Sequence, residues 1–113
     1  MLVLTVLKQR NHRMEKLQFY FCRQKVTEAA KNNFRLVIKT GKGLLKALKI
    51  RAIREAKIEI ESYLIACEEA ILAVAIEIRS EFCDIVELLD DFRDERLLLM
   101  KFVDGELDEE MFR

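Results

Sequence analysis

Residues 59–78 read EIESYLIACEEAILAVAIEI, the most apolar stretch of the chain, with Glu68 and Glu69 at its middle. A membrane span needs about 20 predominantly apolar residues. Glu61, Glu68, Glu69 and Glu77 interrupt this one. A central acidic residue costs roughly 2.5–3.5 kcal/mol on insertion scales, against about −0.3 to −0.6 for each Leu, Ile, Phe or Val. The two central glutamates therefore offset roughly a dozen good apolar residues, which argues against a span. Helical periodicity accounts for the stretch instead. Ile53, Ile60, Leu64, Cys67, Ile71, Val74, Ile78, Phe82, Ile85, Leu89 and Phe92 recur mostly at steps of three and four, which places them on one helical face. Glu55, Glu59, Ser62, Glu69, Glu77, Ser80, Asp84, Glu87, Asp91 and Glu95 fall opposite, with Glu68 on the flank. The pattern predicts an amphipathic helix sustained for about forty residues. Its packing or assembly face is Ile60, Leu64, Ile71, Ile78, Phe82, Ile85, Leu89 and Phe92.

No proline or glycine lies between Leu44 and Asp104. One helix over that range would run about 90 Å, too long for a compact domain of 113 residues. It must either find partners as a rod or fold back without an obvious breaker. The fold expected is all-α, or mainly so: a long amphipathic hairpin or a small bundle forming a single domain. Upstream, TGKG (40–43) is the clearest turn signal, with KQRNHR and KNN weaker. LQFYFC (17–22) and FRLVI (34–38) have the aromatic and β-branched content of strands. RQKVTEAAK reads as helix, however, and Phe19, Cys22, Val26, Ala30 and Val37 share a helical face. Helix is the preferred reading for residues 12–39, with N-terminal strands as the alternative. Residues 1–11 and 105–113 are expected to be peripheral or frayed, with a break at Gly105. The abrupt acidic end, ELDEEMFR, suggests a piece of a longer chain.

Net charge is zero, but the zero conceals a split. Residues 1–57 hold 15 Lys/Arg and 3 Asp/Glu; residues 58–113 hold 5 and 17. The halves should attract, within or between chains, in a salt-dependent way. The basic half also suits phosphates on a lipid surface or a nucleic acid. Candidate contacts are Lys39, Lys42, Lys46, Lys49, Arg51, Arg54 and Lys57. Lys42, Lys46 and Lys49 share a side of a helix beginning after Gly43. Arg35, Lys39 and Lys42 extend that side if the helix runs through TGKG. Phe19 and Tyr20 are candidates for stacking on bases.

Motifs for chemistry are sparse. TGKG lacks the spacing of a phosphate-cradling loop. His12 is the only histidine, so there is neither a Glu-x-x-His pair nor a zinc cluster. Cys22, Cys67 and Cys83 form no C-x-x-C pair, and their odd number fits a reducing, cytoplasmic setting better than a disulfide framework. Cys67 falls on the apolar face, which suits packing. Glu68–Glu69 and Asp90–Asp91 read as solvated helix surface. The expectation is a protein without catalytic residues, cofactor, metal or small-molecule substrate. It would act by self-association or with a helical partner, with peripheral membrane contact.

Some of the text resembles a known family. FRLVI, then LLKALK, then EIESYLIACEEAILAVAIEIRSEF, in a helical chain whose basic half precedes its acidic half, is similar to the opening of ESCRT-III-like proteins of the increased-sodium-tolerance family. Tyr63-Leu64 would match the end of their first helix and Cys67-Glu68-Glu69-Ala70 the turn. Val74, Ile76, Glu77 and Arg79 would match the start of their second helix. Ala73 and Ala75 stand where that family has arginines, and Cys67 where it has the turn glycine. The resemblance covers about residues 34–92. It implies a helical hairpin whose basic helix touches acidic lipid or a neighbouring subunit, and a function in polymer assembly. The alternative is a small helical nucleic-acid-binding accessory protein.

Overall fold

The structure, a computed structural model, describes residues 2–78 and 82–108. Among these residues the chain forms four helices and no strand: α1 (Leu2–Phe21), α2 (Glu28–Leu48), α3 (Lys57–Glu77) and α4 (Phe82–Val103). α1 packs on α2, α2 on α3, and α3 on α4. Short connections make sequential neighbours antiparallel. The envelope is 41 × 26 × 19 Å, far shorter along its axis than a single helix through all 113 residues would be at about 1.5 Å per residue. The fold is thus an all-α bundle; LQFYF (17–21) and FRLVI both lie in helices, and Cys22 opens the turn after α1.

The bundle begins earlier in the sequence than expected. Val3, Leu7, Arg10, Met14 and Phe21 of α1 are all buried, at spacings that fit one helical stripe. Residues 2–11 therefore belong to the bundle and send Val3, Leu7, Arg10 and Asn11 into its interior. Phe19 and Cys22, expected on the inner face, are exposed, and Phe21 takes that position, edge-on to Phe34. The helix expected over 12–39 is interrupted by a turn at 22–27. The restart has a clear local cause: the Thr27 hydroxyl accepts from the Ala30 N–H at 3.2 Å, and Glu28 lies in the first turn. Side-chain capping and an acid near the N-terminus both favour starting a helix there. Glu77, at the far end of α3, reinforces the start. Its carboxylate accepts from the Thr27 N–H at 3.0 Å and the Thr27 hydroxyl at 2.9 Å.

TGKG is not a turn. It lies within α2, where Gly41 marks a crossing point. A Cβ at Gly41 would stand 2.7 Å from a ring carbon of Tyr63 and would also collide with Asn11 Oδ1. The missing side chain lets α1, α2 and α3 meet, and there the Tyr63 hydroxyl donates to Asn11 Oδ1 at 3.1 Å. Gly43 faces open space.

The long apolar pattern does fold back. Its described members, from Ile53 to Phe92, are all buried, but they sit on two antiparallel helices rather than on a rod. The first break, between Leu48 and Lys57, follows from phase. At 100° per residue the buried positions of α2 and α3 point roughly 110° apart on one continuous helix. A straight helix could not bury both. Ile53 and Ala56 anchor the intervening turn in the core. α4 ends at Gly105, whose φ is +82°, a conformation glycine adopts without a Cβ penalty. The Gly105 N–H donates to Phe102 O at 3.0 Å and the Glu106 N–H to Lys101 O at 2.9 Å, the paired bonds of a Schellman stop.

Candidate functional site

Two polar features stand out: a charged centre inside the bundle and a basic face outside it. The centre is built around Arg10, which enters from α1 and is fully buried. Its Nη2 donates to the Phe92 carbonyl at 3.1 Å and lies 3.6 Å from Glu68 Oε1 of α3. Its Nη1 lies 3.5 Å from Glu95 Oε1 of α4. The guanidinium carbon stands 4.2 Å from the centroid of the Phe92 ring, and that of Arg13 stands 4.6 Å from it. Arg13 also binds Glu95 Oε2 at 2.5 Å, and Arg96 lies 3.3 Å from Glu68 Oε2. α1 is thereby joined to α3 by charge and to α4 by charge, a hydrogen bond and cation–π contact.

This arrangement revises the reading of Glu68. It is not solvated surface: it is buried and paired with two arginines, whereas Glu69 next to it is exposed. Burial pulls the Arg10 guanidinium below its ordinary value, against the opposing pull of neighbours that include Glu95 and Glu68. Burial also raises the Tyr63 phenol, and it pushes the Cys67 thiol up to about 11. Cys67 is therefore a protonated thiol at neutral pH, sealed in the core, and the thiolate is the form needed for nucleophilic attack. Arg10 Nε and Nη1, Glu68 Oε1 and Glu95 Oε1 make no hydrogen bond. The centre thus holds its charges by proximity rather than by full hydrogen bonding, which suits a positioning device. Sequence reasoning missed it because Arg10 lies in a segment expected to be peripheral. The available signal was its place on the Val3–Leu7–Met14 stripe.

The seven candidate phosphate contacts divide into two groups. Lys39, Lys42, Lys46 and Lys49 lie together along the exposed side of α2 and its C-cap, because the helix does run through TGKG. Lys42 reaches Glu15 of α1 at 2.9 Å. Lys39, Lys46 and Lys49 make no ion pair among the described residues. The other three lie in or just after the following turn, on the acidic side. Arg51 binds Glu59 at 3.0 Å, Arg54 lies against Gly105, and Lys57 pairs with Asp104. The Asp104 hydrogen bond raises the Lys57 ammonium above its ordinary value. Leu4, Thr5, Lys8, Leu45 and Lys49 line a shallow groove of about 220 Å³ between α1 and α2, which broadens the basic side.

The candidate packing face is consumed within the chain. Ile60, Leu64, Ile71, Ile78, Ile85, Leu89 and Phe92 are buried. The side chain of Phe82 lies outside the described part. This face covers itself through the α3–α4 packing, so it offers nothing to a further partner. The turn implied at residues 67–70 by the ESCRT-III-like alignment is continuous helix in α3, and the helix that alignment would run through 34–64 is broken after Leu48. Among the described residues no group of three or more His, Cys, Asp or Glu could hold a metal ion, and no helix is long and apolar enough to cross a membrane. No family model, curated protein or solved structure matches the chain.

Proposed function

We propose that this is a non-enzymatic helical interaction and assembly protein that docks through α2 on an acidic, phosphate-bearing surface, in the first instance a membrane surface. The observation that carries the reading is the unpaired row Lys39, Lys46 and Lys49 on the exposed side of α2, while the acids concentrate on α3 and α4. A solvated row of ammonium groups attracts phosphates without reorganising the core and loses that attraction as salt rises. Peripheral membrane contact of this kind is also what the resemblance to ESCRT-III-like proteins implies. The buried centre would then serve the fold, by fixing how α1 sits on α3 and α4. A nucleic-acid reading has its own support in exposed Phe19 and Tyr20, followed by exposed Arg23 and Lys25. Aromatic and basic groups together suit single-stranded bases and backbone.

Vesicle flotation separates the two readings. The chain is expected to float with vesicles of acidic phospholipid at low salt, and to stay behind with neutral vesicles or at high salt. Changing Lys39, Lys46 and Lys49 together to glutamate abolishes flotation and leaves helix content unchanged. Failure to bind acidic vesicles at low salt, with retention of an RNA oligonucleotide under the same conditions, would overturn the membrane reading in favour of nucleic acid.

A further inference from the structure

α3 is apolar on two sides. One side faces the core. The other, roughly 140° around the helix at 100° per residue, carries Ile58, Ile65 and Leu72 at seven-residue spacing, with Ile76 four residues on. Ile58 is 77% exposed and Ile76 64% exposed, Leu72 is also exposed, and Ile65 is half-buried. Exposed glutamates 61 and 69 flank the row. Neither makes an ion pair among the described residues.

α2 carries the counterpart. Leu36, Gly43 and Ile50 also recur every seven residues. Leu36 is 61% exposed and Ile50 83% exposed. Ile50 lies just past the end of α2, where its N–H still donates to Ala47 O at 3.0 Å. Gly43 between them has nothing within 4 Å of the place a Cβ would occupy, so a partner backbone can approach there. Lys39 and Lys46 run beside this row. α3, and α2 together with the turn residue Ile50, thus each offer exposed apolar side chains at the seven-residue spacing that two packed helices share. One row is bordered by unpaired cations and the other by unpaired anions.

We infer that α2 of one copy docks on the outer row of α3 of a second copy. The charges choose this pairing over the symmetrical ones. α2 against α2 sets lysine beside lysine, and α3 against α3 sets glutamate beside glutamate. Only the crossed pairing joins opposite signs while covering both apolar rows. A contact between two different faces is heterologous, so it leaves one free α2 face and one free α3 face and repeats head to tail. The inference rests on reading the exposed side of α2 as a docking surface, and it makes a second copy and an acidic vesicle competitors for the same lysines.

The test is sedimentation velocity on the full chain at low salt over a range of concentrations, with two double variants. Leu36→Glu with Lys46→Glu spoils the α2 face; Ile58→Lys with Ile76→Lys spoils the α3 face. All four side chains are exposed, and circular dichroism checks that both variants keep their helix content. If either pair loses it, Lys46→Glu and Glu69→Lys alone take their places. The unaltered chain is expected to grow with concentration beyond two copies. Each variant alone stays at one copy, and an equimolar mixture doubles in mass and stops, because only one intact junction can form. A monomeric unaltered chain at every concentration, a variant that associates alone, or a mixture that stays monomeric would each overturn the inference. The α3 variant keeps its lysines and should float with acidic vesicles at least as well as the unaltered chain. A chain that floats yet never self-associates refutes head-to-tail docking and leaves the vesicle reading standing. A chain that self-associates yet ignores vesicles does the reverse.

Discussion

Gly41 and Gly43 lie two residues apart in α2, and alanine should act on them with opposite signs. In a helix interior glycine is about 0.8–1.0 kcal/mol less favourable than alanine, so each substitution begins with that gain. At Gly43 nothing opposes it, because the space is open. At Gly41 the new methyl meets the Tyr63 ring 2.7 Å away, and Asn11 as well. Tyr63 is 1% exposed and hydrogen-bonded to Asn11, so the ring has nowhere to go without disturbing the core. Overpacking costs about 1–3 kcal/mol, and losing that buried hydrogen bond adds about 1–3 more. The net is a loss of about 1–5 kcal/mol for Gly41→Ala against a gain of about 1 for Gly43→Ala. With about 2.1 cal/mol/K of unfolding entropy per residue, a domain of this size shifts its Tm by about 4 °C per kcal/mol. Thermal and urea unfolding followed by circular dichroism should therefore rank Gly43→Ala above the unaltered protein and Gly41→Ala below it. A Gly41→Ala protein as stable as the unaltered one would show that the three helices do not meet closely at this position.

Arg10→Ala opens a hole beside Glu68 and Glu95, each of which keeps one arginine, Arg96 and Arg13 respectively, and should cost about 2–4 kcal/mol in urea unfolding for the lost packing and the weakened pairing of the two carboxylates; a loss below about 1 kcal/mol would mean that the centre is hydrated. Ile71→Asp, at a fully buried site, should collapse thermal stability, whereas Glu69→Lys, on the exposed side, should stay within about 0.5 kcal/mol; similar losses in both would mean that the faces of α3 are reversed. Burial raises Cys67 from an ordinary 9.0 to about 11, so the folded state holds its proton more tightly than the unfolded state does. Its contribution to stability is present below about pH 9 and is lost as pH rises through about 11. Cys67→Ser, whose hydroxyl does not titrate in this range, should flatten that alkaline limb in urea unfolding at pH 8–11, and an unchanged limb would assign the loss to other groups.

The helical class and the inner face of α3 and α4 were legible because a 3.6-residue period is an intrinsic property of the sequence. Ile60, Leu64, Ile71, Leu89 and Phe92 keep it whether or not the chain turns between them. That persistence also concealed the connection between α3 and α4, whose inner faces stay in phase across it. The break after Leu48 left a trace in the changed phase between Leu44–Leu48 and Ile60–Leu64. TGKG misled because glycine serves equally for a turn and for the close approach of helices, and only Tyr63, distant in sequence, distinguishes the two. The lysine row was legible as a local pattern. The loss of Arg51 and Lys57 to acidic partners was not, because Asp104 meets Lys57 only after the bundle has closed.

Arg10 reaches Phe92 across 82 positions of sequence, while each of the three sequential helix pairs closes over a short connection. Contacts that shut long loops carry the largest chain-entropy cost and tend to form late. The three hairpin-like pairings can therefore assemble first, with the α1–α4 seam closing behind the rate-limiting barrier. Interactions made after the barrier govern escape from the native state rather than arrival at it. The guanidinium of Arg10 then acts as a latch: its loss should leave the refolding limb of a chevron plot nearly in place and lift the unfolding limb. On this reasoning one residue near the amino-terminal end should weigh more on the lifetime of the closed bundle than on its speed of formation.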